Sequence, residues 1–119
     1  MACSLREDPA GLVDALGPVG AKPTIFIRSD DSLTARITAA EFNGVHVPVG
    51  ATGTVQLPAL KGGPNTLDLT VVGVNRPGDD LQLMEDCGAG ASQFVKKKFA
   101  GTGPGGGASP VVGFDIQAS

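Results

Sequence analysis

Residues 33–49 read LTARITAAEFNGVHVPV, and this stretch decides the fold class. It begins with alternating apolar and polar side chains and continues, after Asn43-Gly44, into a second short apolar run. The Asn-Gly dipeptide suits a type I′ turn, which needs positive φ at both central residues and joins two adjacent antiparallel strands. The stretch therefore predicts a β-hairpin, with one strand over Leu33–Phe42 and its return over Val45–Val49.

The two halves of the first strand of this hairpin turn opposite faces inward. Alternation from Leu33 to Ile37 makes one face apolar, whereas a two-residue turn pairs Phe42 with Val45 on the other face. Either this strand is covered on both faces, or its pleat changes phase through a β-bulge or a bend. We predict one near Ala39, which lets a single long strand serve two parts of a sandwich.

In the rest of the chain, turn-forming residues also separate short apolar runs. Its 18 Gly and nine Pro residues fall between short apolar runs, which is typical of an all-β chain. Further strands are predicted over Thr24–Arg28, Gly53–Pro58, Thr66–Val74, Leu81–Asp86, Gln93–Phe99 and Val111–Gln117. The glycine-rich stretch 101–107 is predicted to be a hairpin loop. We expect an antiparallel β-sandwich of about seven or eight strands, of the immunoglobulin-like or jelly-roll type.

Residues 1–23 are expected to form an N-terminal segment in front of a single sandwich domain over residues 24–119. Asp8 is suited to an N-cap and Pro9 to the first helical position, while Gly17 ends the pattern. The apolar stripe between them consists of Leu12, Val13 and Leu16. The segment therefore predicts a short helix of about two turns.

Residues 60–74, LKGGPNTLDLTVVGV, contain the segment Gly-Pro-Asn-Thr-Leu at positions 63–67. This segment resembles the Gly-x-Asn-Thr-Leu sequence that opens a central strand in many bacterial immunoglobulin-like and jelly-roll domains. The resemblance covers about 15 residues and implies a turn followed by a central strand. It implies no ligand and no functional residue, because such domains have unrelated roles.

The two cysteines, Cys3 and Cys87, permit one disulfide. Because terminal segments are poorly ordered unless they are tied down, we expect both thiols to be free or unimportant, and the sequence leaves their pairing open. The first residues lack the basic and apolar regions of a signal peptide, and no apolar run approaches the ~20 residues that span a bilayer. A mature secreted or cell-surface domain is favoured over a cytoplasmic one.

Composition excludes some ligands. The net charge is −3, and the chain has five Phe but no Trp or Tyr. Nucleic-acid binding normally needs a broad basic face with stacking aromatic rings, so it is excluded here. Sugar-binding platforms usually use Trp and Tyr, so sugar recognition would have to use hydrogen bonds or a metal ion.

His46 is the chain's one histidine, so any triad or acid–base chemistry that needs an imidazole would have to use it. Its place between Val45 and Val47 is typical of an exposed or half-buried strand residue. We therefore expect no enzyme and no catalytic residue.

Acidic pairs are the candidates for a metal site. They occur at or near predicted strand ends, as Asp30-Asp31, Asp79-Asp80 and Glu85-Asp86. Carboxylates on neighbouring sandwich loops are common Ca²⁺ ligands, so Asp30, Asp31, Asp79 and Asp80 are a candidate site if their loops meet. The alternative is that such pairs cap turns or stay solvated.

Lys96, Lys97 and Lys98 lie inside a predicted strand. Consecutive lysines put charge on both faces, which suits an edge strand protected against edge-to-edge association. The alternative is a docking site for an acidic partner or an anionic lipid.

We expect a non-enzymatic binding or structural module that presents loops or an edge strand to a protein partner or to a second copy in a homo-oligomer. The alternative is a lectin-like, Ca²⁺-assisted carbohydrate-binding module.

Overall fold

Ten β-strands in two sheets make up the part of the chain that the computed structural model describes, which is residues 3–29, 36–72, 80–88, 90–98 and 111–119. The strands are β1 (Arg6–Glu7), β2 (Ala15–Gly17), β3 (Thr24–Ser29), β4 (Arg36–Phe42), β5 (Val45–Val47), β6 (Val55–Gln56), β7 (Gly63–Val72), β8 (Asp80–Asp86), β9 (Ala91–Lys98) and β10 (Val111–Ala118). The six-stranded sheet has the order β1-β2-β10-β7-β4-β5, and the four-stranded sheet has the order β6-β3-β8-β9. Within the described residues there is no helix, and hence none long and apolar enough to cross a membrane.

One hydrophobic core lies between the two sheets. Along β7, Leu67, Leu69 and Val71 are buried while the residues between them are half-buried or exposed, which is the alternation that the sequence predicts. The largest fully buried side chains come from both sheets and include Ile25, Ile37, Leu67, Leu69, Leu81, Leu83, Phe94, Phe114 and Ile116. Each such side chain contributes roughly 1.5–3 kcal/mol when it leaves water. The predicted all-β sandwich is confirmed, and its narrower assignment as immunoglobulin-like or jelly-roll stays a prediction.

The hairpin between β4 and β5 has the predicted turn. Asn43 and Gly44 have φ values of 52° and 80°, and Phe42 lies opposite Val45. Positive φ at both positions matches the twist of the flanking strands. Val45 shares the apolar face with Phe42 but is 65% exposed, because β5 is the edge strand of its sheet.

The predicted irregularity in β4 is also confirmed. The register between β4 and β7 shifts between Ile37 and Ala39. Ile37 and Ala40 both face the core, although they are an odd number of positions apart. Because the bulge adds one residue to β4, the apolar side chains before and after it both point into the core.

The other predicted strands lie where they were expected, with ends that differ by a few residues. The predicted residues 33–35, 73–74 and 99, and the glycine-rich stretch 101–107, lie outside the described residues. The expected count of seven or eight strands is too low by the two strands β1 and β2, which come from the N-terminal segment.

The predicted N-terminal helix is wrong, although its capping residue behaves as a cap. The Asp8 carboxylate accepts hydrogen bonds from the backbone N–H groups of Ala10, Leu12 and Val13, at 2.9, 2.9 and 3.0 Å. These groups belong to the loop between β1 and β2, because Gly11 takes a left-handed φ of 70° that ends the helical path. Leu12 is 86% exposed, so the apolar stripe does not face the core.

We expect Asp8→Asn to flatten the acid limb of the stability profile. The N–H groups of Val13 and Ala10 hold the pKa of Asp8 below its ordinary value of 3.8. A lowered folded-state pKa means that the carboxylate contributes stability above about pH 4 and loses it as the pH falls through the lowered value. Melting temperatures between about pH 2 and pH 7 measure this. An acid limb as steep as that of the unchanged protein, or of a Glu41→Gln control, would contradict it.

Asn65 fixes the turn before β7. Its side chain is fully buried, and Oδ1 accepts from the Lys61 N–H at 3.1 Å and from Asn43 Nδ2 at 3.0 Å. Its Nδ2 donates to the carbonyls of Lys61, Gly63 and Ile116, at 2.9, 3.1 and 3.4 Å. The asparagine of the Gly-x-Asn-Thr-Leu segment thus ties a local turn to the β4–β5 hairpin and to β10. In agreement with the resemblance, β7 lies in the middle of its sheet.

We expect Asn65→Ala to lower the free energy of unfolding by about 3 kcal/mol, because it leaves several buried backbone groups without partners. Urea unfolding at neutral pH measures the loss. The neighbouring Thr66 is exposed, so Thr66→Ala is the control and should change stability by less than about 0.5 kcal/mol. Equal effects of the two substitutions would show that the network is not stabilising.

A disulfide joins Cys3 to Cys87, with 5.2 Å between the two Cα atoms. The expectation of two free thiols is therefore wrong. The terminus is held in place by Glu85, whose Oε2 accepts from Ser4 N at 3.1 Å and Ser4 Oγ at 2.7 Å, and whose Oε1 accepts from Leu5 N at 2.7 Å. Glu85 itself is 5% exposed. Because these bonds hold the residues next to Cys3 against β8, the sulfur lies within reach of Cys87.

Residues 3–17 connect the two sheets, and we call them the strap. The strap begins at β8 of the four-stranded sheet and continues as β1 and β2 of the six-stranded sheet. Its β2 pairs in parallel with β10, whereas the other strand pairs of the described residues are antiparallel. Leu5 and Ala15 contribute buried side chains to the core. The segment expected to precede the sandwich is thus part of its six-stranded sheet.

We expect the double substitution Cys3→Ala/Cys87→Ala to lower the free energy of unfolding by about 4 kcal/mol. The two cysteines are 84 residues apart, and a cross-link over a long loop restricts the unfolded chain strongly. Denaturant unfolding of the oxidised protein and the double variant, with both unfolding slopes compared, measures the loss. A difference under about 1 kcal/mol would show that the disulfide adds little to the contacts of Glu85.

Candidate functional site

Three chemically active side chains lie in a row on the solvent-facing side of the six-stranded sheet, which we call the outer face. His46 of β5 lies directly opposite Glu41 of β4, and Glu41 lies directly opposite Asp68 of β7. Residues that face each other on neighbouring antiparallel strands have Cβ atoms about 5 Å apart. The row therefore crosses three strands with regular spacing.

The row lies along a shallow groove of about 200 Å³. The groove is lined by Ala39, Ala40, Glu41, His46, Asp68, Thr70 and Val111. Its floor is low because alanines lie beneath it and because Gly113, opposite Asp68 on β10, has no side chain. A Cβ atom at Gly113 would lie 3.2 Å from Asp68 Oδ1, so the carboxylate leans over the glycine.

The charges on the outer face are mainly acidic. Glu41 and Asp115 are exposed, and Asp68 is half-buried. Asp115 lies opposite Thr66, one position along the face from the Asp68 pair, so its carboxylate adds to the same negative field. Within the described part of the chain, the structure gives no hydrogen bond or ion pair to the side chains of Glu41, His46 and Asp68.

His46 lies on an exposed strand, as the sequence predicts. The ligand atoms of Glu41, His46 and Asp68 do not all lie within 4.8 Å of one another. Over the residues that the structure describes, the metal-ligating groups that do meet within that distance are Cys3, Glu85 and Cys87. In the disulfide the two sulfurs are bonded to each other and are not thiolate ligands.

The predicted calcium ligands are not tested by the structure. Asp30, Asp31 and Asp79 lie outside the described residues. Asp80 is the first residue of β8, and its backbone position is opposite Lys98. The calcium site stays a prediction.

The lysine-rich strand β9 is the edge strand of the four-stranded sheet, as its sequence predicts. Lys97 Nζ lies 3.2 Å from Asp14 Oδ2, donates to the Gly113 carbonyl at 2.8 Å, and lies 5.2 Å from the centre of the Phe114 ring. This lysine therefore ties the edge to the loop of the strap and to β10. Lys96 is exposed and lines a second groove, between β9 and the strap. Lys98 faces Asp80 in the backbone register. Docking of a partner on these lysines stays a prediction.

Sequence reasoning missed two features of these sites. The hairpin alone places Glu41 opposite His46, but Asp68 joins them through the pairing of β4 with β7, which are distant in the sequence. Glu85 was grouped with Asp86 as an ordinary acidic pair, and its burial depends on contacts with the distant strap.

Comparisons with protein-family models, with curated proteins and with solved structures find no match to this chain.

Proposed function

We propose that this chain is a non-enzymatic binding module whose outer face docks a protein partner with a basic surface. One observation carries the proposal. Glu41, His46 and Asp68 line one groove, and none has a polar partner among the described residues. Elsewhere in the described chain, buried polar side chains such as Asn65 and Glu85 have several partners each.

The shape of the groove supports contact with a protein side chain. The short side chains of Ala39 and Ala40 in its lining let an extended group approach the sheet. Val111 is 64% exposed at its border and offers apolar contact beside the charges. Protein interfaces usually combine apolar contacts with a polar, solvent-accessible rim, so Val111 with the charges beside it fits such a patch.

The charge of the groove supports a basic partner. The carboxylates of Glu41, Asp68 and Asp115 share this face, and the whole chain has a net charge of −3. A Lys or Arg side chain entering the groove would form charge-assisted hydrogen bonds with Asp68, which is half-buried and therefore less screened by water. Complementary charge of this kind also raises the association rate and selects among partners.

A binding role is favoured over catalysis by the surroundings of His46. Nucleophilic catalysis needs a hydroxyl or thiol hydrogen-bonded to a base. The described residues provide no such bond to His46, and the groove is shallow. The open face therefore suits recognition better than chemistry.

An oxidising compartment is part of the proposal. Disulfides persist in secreted, periplasmic and cell-surface proteins and are rare in the cytosol. The Cys3–Cys87 bond supports a secreted or cell-surface location.

The first experiment is an NMR titration of the isotope-labelled protein with a short peptide that alternates lysine and threonine. We expect amide shifts concentrated at Glu41, His46, Asp68 and Thr70, and weaker binding as salt increases. A peptide with glutamate in place of lysine should cause no such shifts. Shifts scattered over the surface, or centred on the β9 edge, would contradict docking on the outer face.

Two variants test whether the carboxylates of Glu41 and Asp68 bind the peptide. Glu41→Gln/Asp68→Asn keeps the size of both side chains and should weaken peptide binding about tenfold or more, which corresponds to ~1.4 kcal/mol. Glu7→Gln, in β1 at the far edge of the same sheet, removes one carboxylate away from the groove and should leave the affinity unchanged.

Light scattering over a range of concentrations shows whether a second copy takes the place of the partner. A mass that rises with concentration, and that falls to the monomer in the double variant, would identify the outer face as a homo-oligomer interface instead.

A further inference from the structure

The start of the strap brings three metal-ligating groups to one point. The sulfurs of Cys3 and Cys87 and a carboxylate oxygen of Glu85 all lie within 4.8 Å of one another. In the oxidised protein the disulfide occupies both sulfurs. When that bond is reduced, the same three positions offer two thiols and a carboxylate.

We propose that the reduced form of this chain binds one Zn²⁺ ion through the thiolates of Cys3 and Cys87 and the carboxylate of Glu85. Zinc then replaces the disulfide as the link between the strap and β8. Three protein ligands leave the fourth tetrahedral position to water. Two sulfur ligands favour zinc over calcium or magnesium, which prefer sites made only of oxygen.

The strap keeps the two thiols together after reduction. Three hydrogen bonds, of 2.7 to 3.1 Å, hold the N–H and hydroxyl of Ser4 and the N–H of Leu5 on the Glu85 carboxylate. Leu5 is also buried in the core, with 3% of its surface exposed. Cys3 is therefore next to an anchored residue whether or not its sulfur is bonded.

The other thiol lies on an equally defined turn. The Cys87 N–H donates to the Gly90 carbonyl at 2.8 Å, and Gly88 takes a φ of 85° in the same turn. This turn follows directly after β8, the strand that carries Glu85. Both sulfurs and the carboxylate are thus next to backbone that is also held by hydrogen bonds other than the S–S bond.

The required geometry is close to the existing one. Zinc–sulfur bonds of about 2.3 Å in a tetrahedral site place two sulfurs roughly 3.7 Å apart, compared with about 2 Å in a disulfide. With 5.2 Å between the Cα atoms of Cys3 and Cys87, side-chain rotation provides this change. The buried Glu85 carboxylate has three hydrogen bonds from neutral donors. None of these donors is a cation, so a divalent ion at this point would pair with the carboxylate.

Reagents have access to this point. Both cysteines are half-buried, and a cavity of about 410 Å³ opens beside them. Its lining includes Ser4, Pro23, Thr24, Glu85 and Cys87. A small thiol and a hydrated metal ion fit a space of this size.

The redox step is an exchange with a dithiol reductant. One thiolate of the reductant attacks a cysteine sulfur and forms a mixed disulfide, and the second thiolate closes the reductant's own disulfide. Two electrons and two protons pass to Cys3 and Cys87, which become thiols. Zinc binding then releases both thiol protons to solvent as the thiolates form.

The test uses the full chain, reduced with dithiothreitol, freed of the reductant without oxygen, and titrated with Co²⁺ as a spectroscopic substitute for Zn²⁺. We expect a thiolate-to-cobalt charge-transfer band that saturates at one equivalent and disappears when Zn²⁺ is added. Zn²⁺ should also raise the melting temperature of the reduced protein, because the three ligands meet at one point in the folded form. No band, or no rise in melting temperature, would overturn the proposal.

The oxidised protein is the matched control, because it has the same sequence with both sulfurs blocked. It should show no cobalt band, and a band of equal strength would overturn the assignment to these sulfurs. Cys3→Ser and Cys87→Ser should each remove the band. Glu85→Gln should weaken cobalt binding at least tenfold, whereas Glu7→Gln, elsewhere on the strap, should not change it. If Glu85→Gln proves unfolded by circular dichroism, the comparison of oxidised and reduced protein still decides between the two outcomes.

Discussion

The buried carboxylate of Glu85 is the interaction on which the closure of this sandwich depends. It holds Ser4 and Leu5 against the four-stranded sheet, and the strap then crosses to the six-stranded sheet. The strap in turn buries Leu5 in the core and pairs β2 with β10, which makes β10 an interior strand of its sheet. The disulfide acts at the same point but restricts mainly the unfolded chain. The carboxylate therefore positions the strap, and the covalent bond makes its detachment more costly.

The candidate sites follow from this arrangement. Because the strap pairs with β10, that strand is an interior member of its sheet, and Gly113 on it leaves room for the carboxylate of Asp68. The loop of the strap also places Asp14 beside Lys97, so the lysine-rich edge is tied to the other sheet. On the outer face, the side chains of Glu41, His46 and Asp68 have no polar partner among the described residues. The proposed recognition at the outer face and the stability at the strap involve different strands of the six-stranded sheet.

Two buried polar residues give this small core a defined geometry. Asn65 joins the turn before β7 to the hairpin and to β10, and Glu85 joins β8 to the strap. Apolar packing alone is tolerant of small displacements, whereas a satisfied polar network is favourable in one arrangement. Each network links segments that are distant in sequence. Both therefore select the relative position of strands, while the apolar side chains supply most of the stabilisation.

The sequence by itself determined the local features. Alternation with a period of two identified the strands, and Asn43-Gly44 identified the hairpin because positive φ is a local property of those residues. The change of apolar phase revealed the bulge near Ala39. Only the tertiary structure decided that Asp8 caps a loop and not a helix, since a carboxylate caps the N–H groups of either equally readily. The disulfide, the burial of Glu85 and the row from His46 to Asp68 were likewise decided there, because each requires segments that are distant in the sequence to meet.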